Sequence, residues 1–306
     1  MKVSLAFLLG LALVLGAPVA RADGVFLSPS KMDAGLRAKL RVEVSAAKAS
    51  HPEVFAKIRA LRGHRPEVYR SFRSQEPTVL PELVALGPDA GWALVDAIAF
   101  DGIARGAASR KEWDAVREGL LLALAELEMP EAGPVFRQVF ESSHGDWVAL
   151  RAAAIGLGRL GGDPERAVLL RALDKGGVPR DAALWGLRYV RVPAAVDAVA
   201  PLLHDASPET VKLAARTLGY QGSAWAWRTG KAGAAAYQIP IRTKCRDALL
   251  SAYLRHDDSV REHLARALSM IDLPDTIGTI DELFGNVTDN EDRKALIGLK
   301  KRLSLR

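Results

Sequence analysis

The residue types that could form a binding contact are concentrated in one glycine-containing stretch, residues 222–239, which lies between helical patterns. Five side chains of this stretch could take part: Trp225, Trp227, Arg228, Lys231 and Tyr237. Aromatic and arginine side chains contribute most of the contact energy at protein interfaces. The two tryptophans are two residues apart, so in an extended loop both would point to the same side. The stretch therefore predicts either a clamp on a binding partner or a flap over the ends of neighbouring helices.

Catalytic and metal-binding motifs are absent from the sequence. None of the six histidines precedes a glutamate, and no Gly-x-Ser-x-Gly nucleophile motif occurs. The glycine spacing around Lys231 is not that of a phosphate loop, and no hydroxyl residue follows the lysine. His256, Asp257 and His263 could be imagined around a metal ion, but acidic residues at this place are typical of helix caps. The sequence predicts no catalytic residues, no metal and no cofactor.

Cys245 is the only cysteine, so the chain has no internal disulfide. Its basic neighbours Arg242, Lys244 and Arg246 could lower the pKa of the thiol. A small side chain buried on a helix face is the commoner role of a free cysteine, and we expect it here.

An internal repeat predicts the elements that position these residues. Residues 150–161, LRAAAIGLGRLG, match residues 211–222, VKLAARTLGYQG, at five of twelve positions, and a third copy lies at 179–190. The period is about 30 residues, which is typical of a stacked array. Each unit is predicted to be a pair of helices. The first begins near a proline and the second is rich in alanine.

Segments such as LRAAAIGLGRLGGDPERAVLLRAL and SPETVKLAARTLG resemble HEAT-like repeats, including the type found in phycobilin lyases, over residues 111–284. The resemblance implies an all-α fold, a right-handed α-solenoid of HEAT-like helical pairs with the alanine-rich helices on the concave side. It also implies a recurring basic residue that follows an acidic partner. The matching basic positions are Arg151, Lys212 and Arg261, and the acidic positions are Asp146, Asp205 and Asp257.

The prolines that begin the first helices stand at positions 130, 164, 193, 240 and 274, and the interval from 193 to 240 is the longest. That interval contains residues 222–239, which are therefore predicted to be a loop insertion at an edge of the solenoid, where binding loops often lie. The predicted organisation has four segments: a signal peptide (1–22), a basic helical N-terminal cap (23–76), the repeat solenoid with its insertion (77–288) and a C-terminal capping helix (289–306).

The N-terminus has the pattern of a secretory signal peptide. Lys2 precedes an apolar run over residues 3–16, and Ala20-Arg21-Ala22 supplies small residues around a cleavage site after Ala22. The run is short for a membrane span, which needs about 20 residues. We expect a periplasmic or secreted protein that is not transmembrane once the signal peptide is removed.

The net charge of +6 is uneven, because residues 23–76 hold 11 Lys and Arg against 6 Asp and Glu. This segment could contact an anionic envelope surface, although a solvated helix face explains it as well. No nucleic-acid-binding module is recognisable, so no nucleic acid partner is expected.

These features favour an exported, non-catalytic binding scaffold whose HEAT-like repeat surface contacts a protein partner of unknown identity. The alternative is an enzyme, lyase-like or of another HEAT-repeat kind, that acts on a ligand in the concave groove.

Overall fold

The computed structural model of the protein describes residues 23–63, 79–229 and 235–305, and every regular element within these residues is helical. The α-helices are Ala34–Ser50 (α1), Pro52–Arg59 (α2), Val79–Val84 (α3), Ala90–Ala99 (α4), Arg110–Glu126 (α5), Gly133–Ser142 (α6), Trp147–Leu160 (α7), Asp163–Leu173 (α8), Gly177–Leu187 (α9), Pro193–Val199 (α10), Pro208–Gln221 (α11), Ala224–Arg228 (α12), Gln238–Tyr253 (α13), Asp258–Ile271 (α14), Thr276–Asn286 (α15) and Asn290–Ser304 (α16). The predicted all-α fold is confirmed. The predicted signal peptide, residues 1–22, lies outside the described residues.

The helices pack as successive pairs: α6 with α7, α8 with α9, α10 with α11, α13 with α14, and α15 with α16. The second helices also pack against one another along the chain, from α5 to α7, α9, α11 and α14. Each helix therefore covers the apolar face of a neighbour, which is the arrangement expected of a helical repeat. One continuous apolar core runs from Leu27 to Leu299. None of the described helices is long and apolar enough to cross a bilayer.

The second helices approach each other closely because small residues line their contacts. A Cβ atom placed on Gly158 of α7 would overlap the carbonyl oxygen of Gly186 in α9, and one on Gly186 would overlap the carbonyl oxygen of Ala154. Backbone therefore meets backbone where these helices cross. Alanines fill the rest of the contact, since they keep helix propensity without adding bulk.

Side-chain caps and prolines begin several helices as expected. Asp146 accepts a hydrogen bond from the amide of Ala149 at the start of α7, and Ser207 precedes the proline that opens α11. Pro240 is different, because α13 already begins two residues earlier. Proline is tolerated there, since the amides of the first helical turn have no intrahelical acceptor. Pro274 lies before α15, which begins at Thr276.

The acidic residues that precede the recurring basic positions are not their ion-pair partners in the structure. Three ion pairs link successive second helices: Arg117 with Asp146, Arg180 with Asp205 and Arg261 with Asp292. In the last two pairs the nitrogen and oxygen atoms are 2.9 and 3.0 Å apart. Of the other implied positions, Arg151 pairs with Glu118, Lys212 pairs with Glu209, and Asp257 caps α14. Four of these pairs therefore join neighbouring units, and the Lys212–Glu209 pair lies within α11.

The N-terminal helices direct part of their basic charge at the body of the protein. Lys48 of α1 and Arg59 at the end of α2 lie 3.7 and 3.5 Å from the buried carboxylate of Asp96 in α4. Burial raises the pKa of Asp96, while these two cations lower it. Other cations of this segment, such as Lys39 and Lys57, are exposed. Residues 64–76 of the predicted basic cap lie outside the described residues.

Candidate functional site

The insertion contains a short helix, which corrects the expectation of an extended loop. Ser223 accepts a hydrogen bond from the amide of Ala226 and caps α12 at residue 224. Side chains two residues apart on a helix point about 200° apart, so the two tryptophans face opposite sides. Trp227 is 7% exposed and Trp225 is 68% exposed. Trp227 therefore has the buried position expected of a flap, and Trp225 has the exposed position expected of a binding contact.

Trp227 fastens α12 to the repeat. Its indole Nε1 donates a hydrogen bond of 2.9 Å to the carbonyl oxygen of Gln221, the last residue of α11. The fully buried side chain of Gln221 donates in turn to the carbonyl oxygens of Leu187 (2.9 Å) and Val190 (3.2 Å), at the end of α9. A helix leaves its last carbonyl groups without intrahelical partners. The carbonyl oxygens of Gln221 and Val190 take these side chains as donors, while that of Leu187 also accepts from the amide of Val190. The insertion is held at the C-terminal ends of α9 and α11.

Two buried residues of α13 lie near the insertion or the helix end beside it. Arg242 donates to the carbonyl oxygens of Ile271 (2.7 Å) and Asp272 (3.0 Å) at the end of α14, and burial lowers its pKa. Cys245 is fully buried beside Gly222, and burial raises the pKa of its thiol to about 12. The thiol is therefore protonated at neutral pH and is not an activated nucleophile.

The outer side of the insertion presents apolar and basic side chains. Tyr237 is 43% exposed and Ile239 is 59% exposed, and Arg228 at the end of α12 is also exposed. Of the predicted binding residues, Trp225, Arg228 and Tyr237 are thus on the surface, and Trp227 is part of the anchor. Lys231 lies outside the described residues. Large exposed aromatic side chains with an arginine nearby are typical of interface residues.

A second group of arginine and aromatic residues was not singled out from the sequence. We call it the arginine–tryptophan cluster: Arg151, Trp185, Arg188, Tyr189, Arg216 and Tyr220. It lies on α7, the end of α9 and α11. The signal that could have found it is the spacing Trp185, Arg188 and Tyr189, since residues three and four apart lie on the same helix face.

The residues considered for a metal have structural roles. His256 Nε2 lies 2.8 Å from the carbonyl oxygen of Leu203, and Asp257 accepts a hydrogen bond from the amide of Val260. Within residues 23–63, 79–229 and 235–305, no group of three or more His, Cys, Asp or Glu side chains could hold a metal ion.

Comparisons with known proteins identify no family. No protein family matches the chain, and no curated protein matches its sequence. Among solved structures, the chain is similar to human deoxyhypusine hydroxylase in complex with glycerol, at 14% sequence identity and a TM-score of 0.29, over 84% of this chain and 99% of that one. That protein is an enzyme, so the expectation that the chain is not an enzyme is contradicted and is withdrawn. At this TM-score the likeness assigns no hydroxylase activity to the chain.

Proposed function

We propose that the protein is a binding scaffold, periplasmic or secreted, in which a right-handed α-solenoid of HEAT-like pairs presents the insertion to a protein partner. Support for the solenoid comes from the regular pairs α6/α7 to α15/α16 and from the packing of each second helix on the next. Such arrays expose long surfaces that bind other proteins. Small-angle X-ray scattering should give an elongated particle, whereas a spherical envelope would contradict the solenoid.

The observation that carries the proposal is the exposure of Trp225 on a helix that Trp227 holds in place. The two side chains differ from 68% to 7% in exposure although they share one turn of α12. A large apolar side chain on a backbone that is already fixed loses less conformational freedom on binding than one on a flexible loop, so more of its contact energy appears as affinity. Tyr237 and Ile239 add exposed apolar area on the following segment.

The partner can be sought with immobilised mature protein in an envelope extract. A protein retained by the wild type should be lost with Trp225→Ala, because the central apolar contact is removed. Trp147→Ala is the matched control, since Trp147 is also exposed, at 39%, but lies at the start of α7. Purified partner is then titrated against each variant. Equal affinity of wild type and Trp225→Ala, or equal loss in both variants, would contradict the proposed site.

Export can be tested separately by the intact mass of the protein after expression of the whole reading frame. Cleavage after Ala22 would leave Asp23 as the first residue, and Asp23 already belongs to the folded body: its carbonyl oxygen accepts a hydrogen bond of 3.0 Å from the amide of Gly102. A mature protein that retains residues 1–22 would contradict the proposal.

A further inference from the structure

Three guanidinium groups gather around one indole ring in the arginine–tryptophan cluster. The Cζ atoms of Arg188 and Arg216 each lie 4.6 Å from the ring centroid of Trp185, and that of Arg151 lies 4.9 Å from it. These arginines belong to α7, the end of α9 and α11, so the ring joins three successive units. Guanidinium groups this close to an indole face are attracted by its quadrupole.

The positive charge of two of these arginines is not balanced by a carboxylate. Arg151 pairs with Glu118. In the part of the chain that the structure describes, no carboxylate oxygen lies within 4.0 Å of Arg188 or Arg216; the polar contact of Arg188 is a 2.9 Å hydrogen bond to the hydroxyl of Tyr189. Arg216 is exposed. Arg188 is partly buried, and its Nε is buried without a hydrogen-bond partner among the described residues. Both guanidinium groups have aromatic rings as neighbours.

Further aromatic rings lie close to these two guanidinium groups. Arg188 lies 4.9 Å from the ring centroid of Tyr189 and 5.1 Å from that of Tyr220, while Arg216 lies 5.8 Å from Tyr220. The N–H bonds of a guanidinium lie in its own plane. In Arg188 the Nε is buried and one terminal nitrogen donates to Tyr189, so the open edge is offered chiefly by the exposed guanidinium of Arg216. A planar fork of this kind suits a carboxylate, which it can bind through two parallel hydrogen bonds.

The surrounding charges disfavour a continuous polyanion. Asp181 stands one turn before Trp185 on α9, Glu126 at the end of α5 pairs with Arg159, and Glu209 accepts from Lys212 on α11. A nucleic acid or an anionic bilayer would bring its charges near these carboxylates as well, and polyanion binding requires many cationic contacts. A protein segment can place one or two carboxylates at the arginines and avoid the acidic positions.

We propose that Arg188 and Arg216, held on Trp185 and Tyr220, bind a carboxylate-bearing segment of a protein partner. The proposal does not depend on Trp225. Apolar residues beside the acidic ones would contact the same rings, since Trp185 and Tyr220 are partly exposed. The recognised segment thus combines glutamate or aspartate with apolar side chains.

The test uses the mature protein and a fluorescein-labelled peptide that alternates glutamate with leucine, measured by fluorescence anisotropy at low salt. The Arg188→Gln, Arg216→Gln double variant should weaken binding about tenfold or more, because two charge-assisted contacts are removed. Arg110→Gln with Lys301→Gln is the matched control; it removes the same charge at two exposed positions elsewhere and should leave the affinity unchanged. A peptide with glutamine in place of glutamate should not bind.

Equal weakening by the two double variants would overturn the proposal, since only net charge would then matter. Tighter binding of oligothymidylate or of phosphatidylglycerol vesicles than of the peptide would overturn it as well. If the double variant has lost its helical circular dichroism, Arg216→Gln alone decides, because Arg216 is exposed and contributes little to the core. Unchanged affinity in that variant would refute the proposal. Trp225→Ala should not alter peptide binding, which separates this surface from the insertion.

Discussion

Because one tryptophan of the insertion is buried and the other is exposed, we predict that the two contribute very differently to the free energy of unfolding. Replacing Trp227 by alanine removes a side chain that is 7% exposed, together with its 2.9 Å hydrogen bond to Gln221. The same replacement at Trp225 removes a side chain that is 68% exposed and for which the structure gives no hydrogen bond. The two variants remove the same atoms two residues apart, so each is the control for the other.

Deleting a buried tryptophan side chain costs about 3–5 kcal/mol. That cost already includes the lost hydrogen bond, whose net contribution is about 1 kcal/mol. Because α12 has five residues and lies at an edge, it can relax around the cavity, and we expect the lower end, about 3 kcal/mol, for Trp227→Ala. Trp225→Ala should change the free energy of unfolding by less than about 0.5 kcal/mol, as other exposed substitutions do.

Urea denaturation at 25 °C, followed by far-ultraviolet circular dichroism, measures both free energies of unfolding. Hydrogen exchange of the amides of α11 and α13 shows whether the loss is local or spreads into the repeat. The reasoning is refuted if Trp225→Ala destabilises the protein as much as Trp227→Ala, or if Trp227→Ala costs less than about 1 kcal/mol.

Three further predictions concern the repeat itself. Gly158→Ala should destabilise the protein by about 1–3 kcal/mol, because the added Cβ overlaps the backbone of α9. Gly298→Ala, in an open position of α16, should stabilise it by about 0.5–1 kcal/mol. Melting curves should therefore show a lower melting temperature for the first variant and a higher one for the second. Gln221→Leu should cost about 1–3 kcal/mol, since the carbonyl group of Val190 loses its donor and that of Leu187 keeps only the amide of Val190; equilibrium unfolding of that variant measures the loss. Burial raises the pKa of Asp96 above 3.8, so the folded protein holds this proton more tightly than the unfolded chain does. The stability of wild type relative to Asp96→Asn should therefore fall as the pH rises from 3.8, and a constant or rising difference across a pH series would contradict this.

The repeat could be predicted because its signal is local and recurs. Ala153 and Ala214 occupy equivalent positions of α7 and α11, and small residues at a helical spacing indicate close packing whatever the partner is. The short helix α12 was not predicted, since five residues do not form a stable helix by propensity alone. Burial of Trp227 stabilises it, and burial depends on contacts with α11 and α14 that no local pattern reveals.

The candidate surfaces were partly predictable for the same reason. Composition identified Trp225 and Tyr237 as unusual for their surroundings, and both are exposed. The arginine–tryptophan cluster depends on three helices that are about 30 residues apart in sequence. Arg216 contacts Trp185 only because α9 and α11 pack together. The sequence therefore predicts the helix on which each residue lies, but not the contact between the two residues.

The place of the insertion follows from the need to satisfy helix ends. At the edge where the second helices terminate, side chains donate to the last carbonyl groups: Gln221 to the end of α9, Arg191 to Tyr220 at the end of α11 (3.3 Å), and Arg242 to the end of α14. Trp227 completes this series through its bond to Gln221. An insertion at this edge therefore gains a fixed position from groups that needed partners in any case. Its outward side, with Trp225, has no part in that requirement, so it is free to carry a binding contact without loss to the fold.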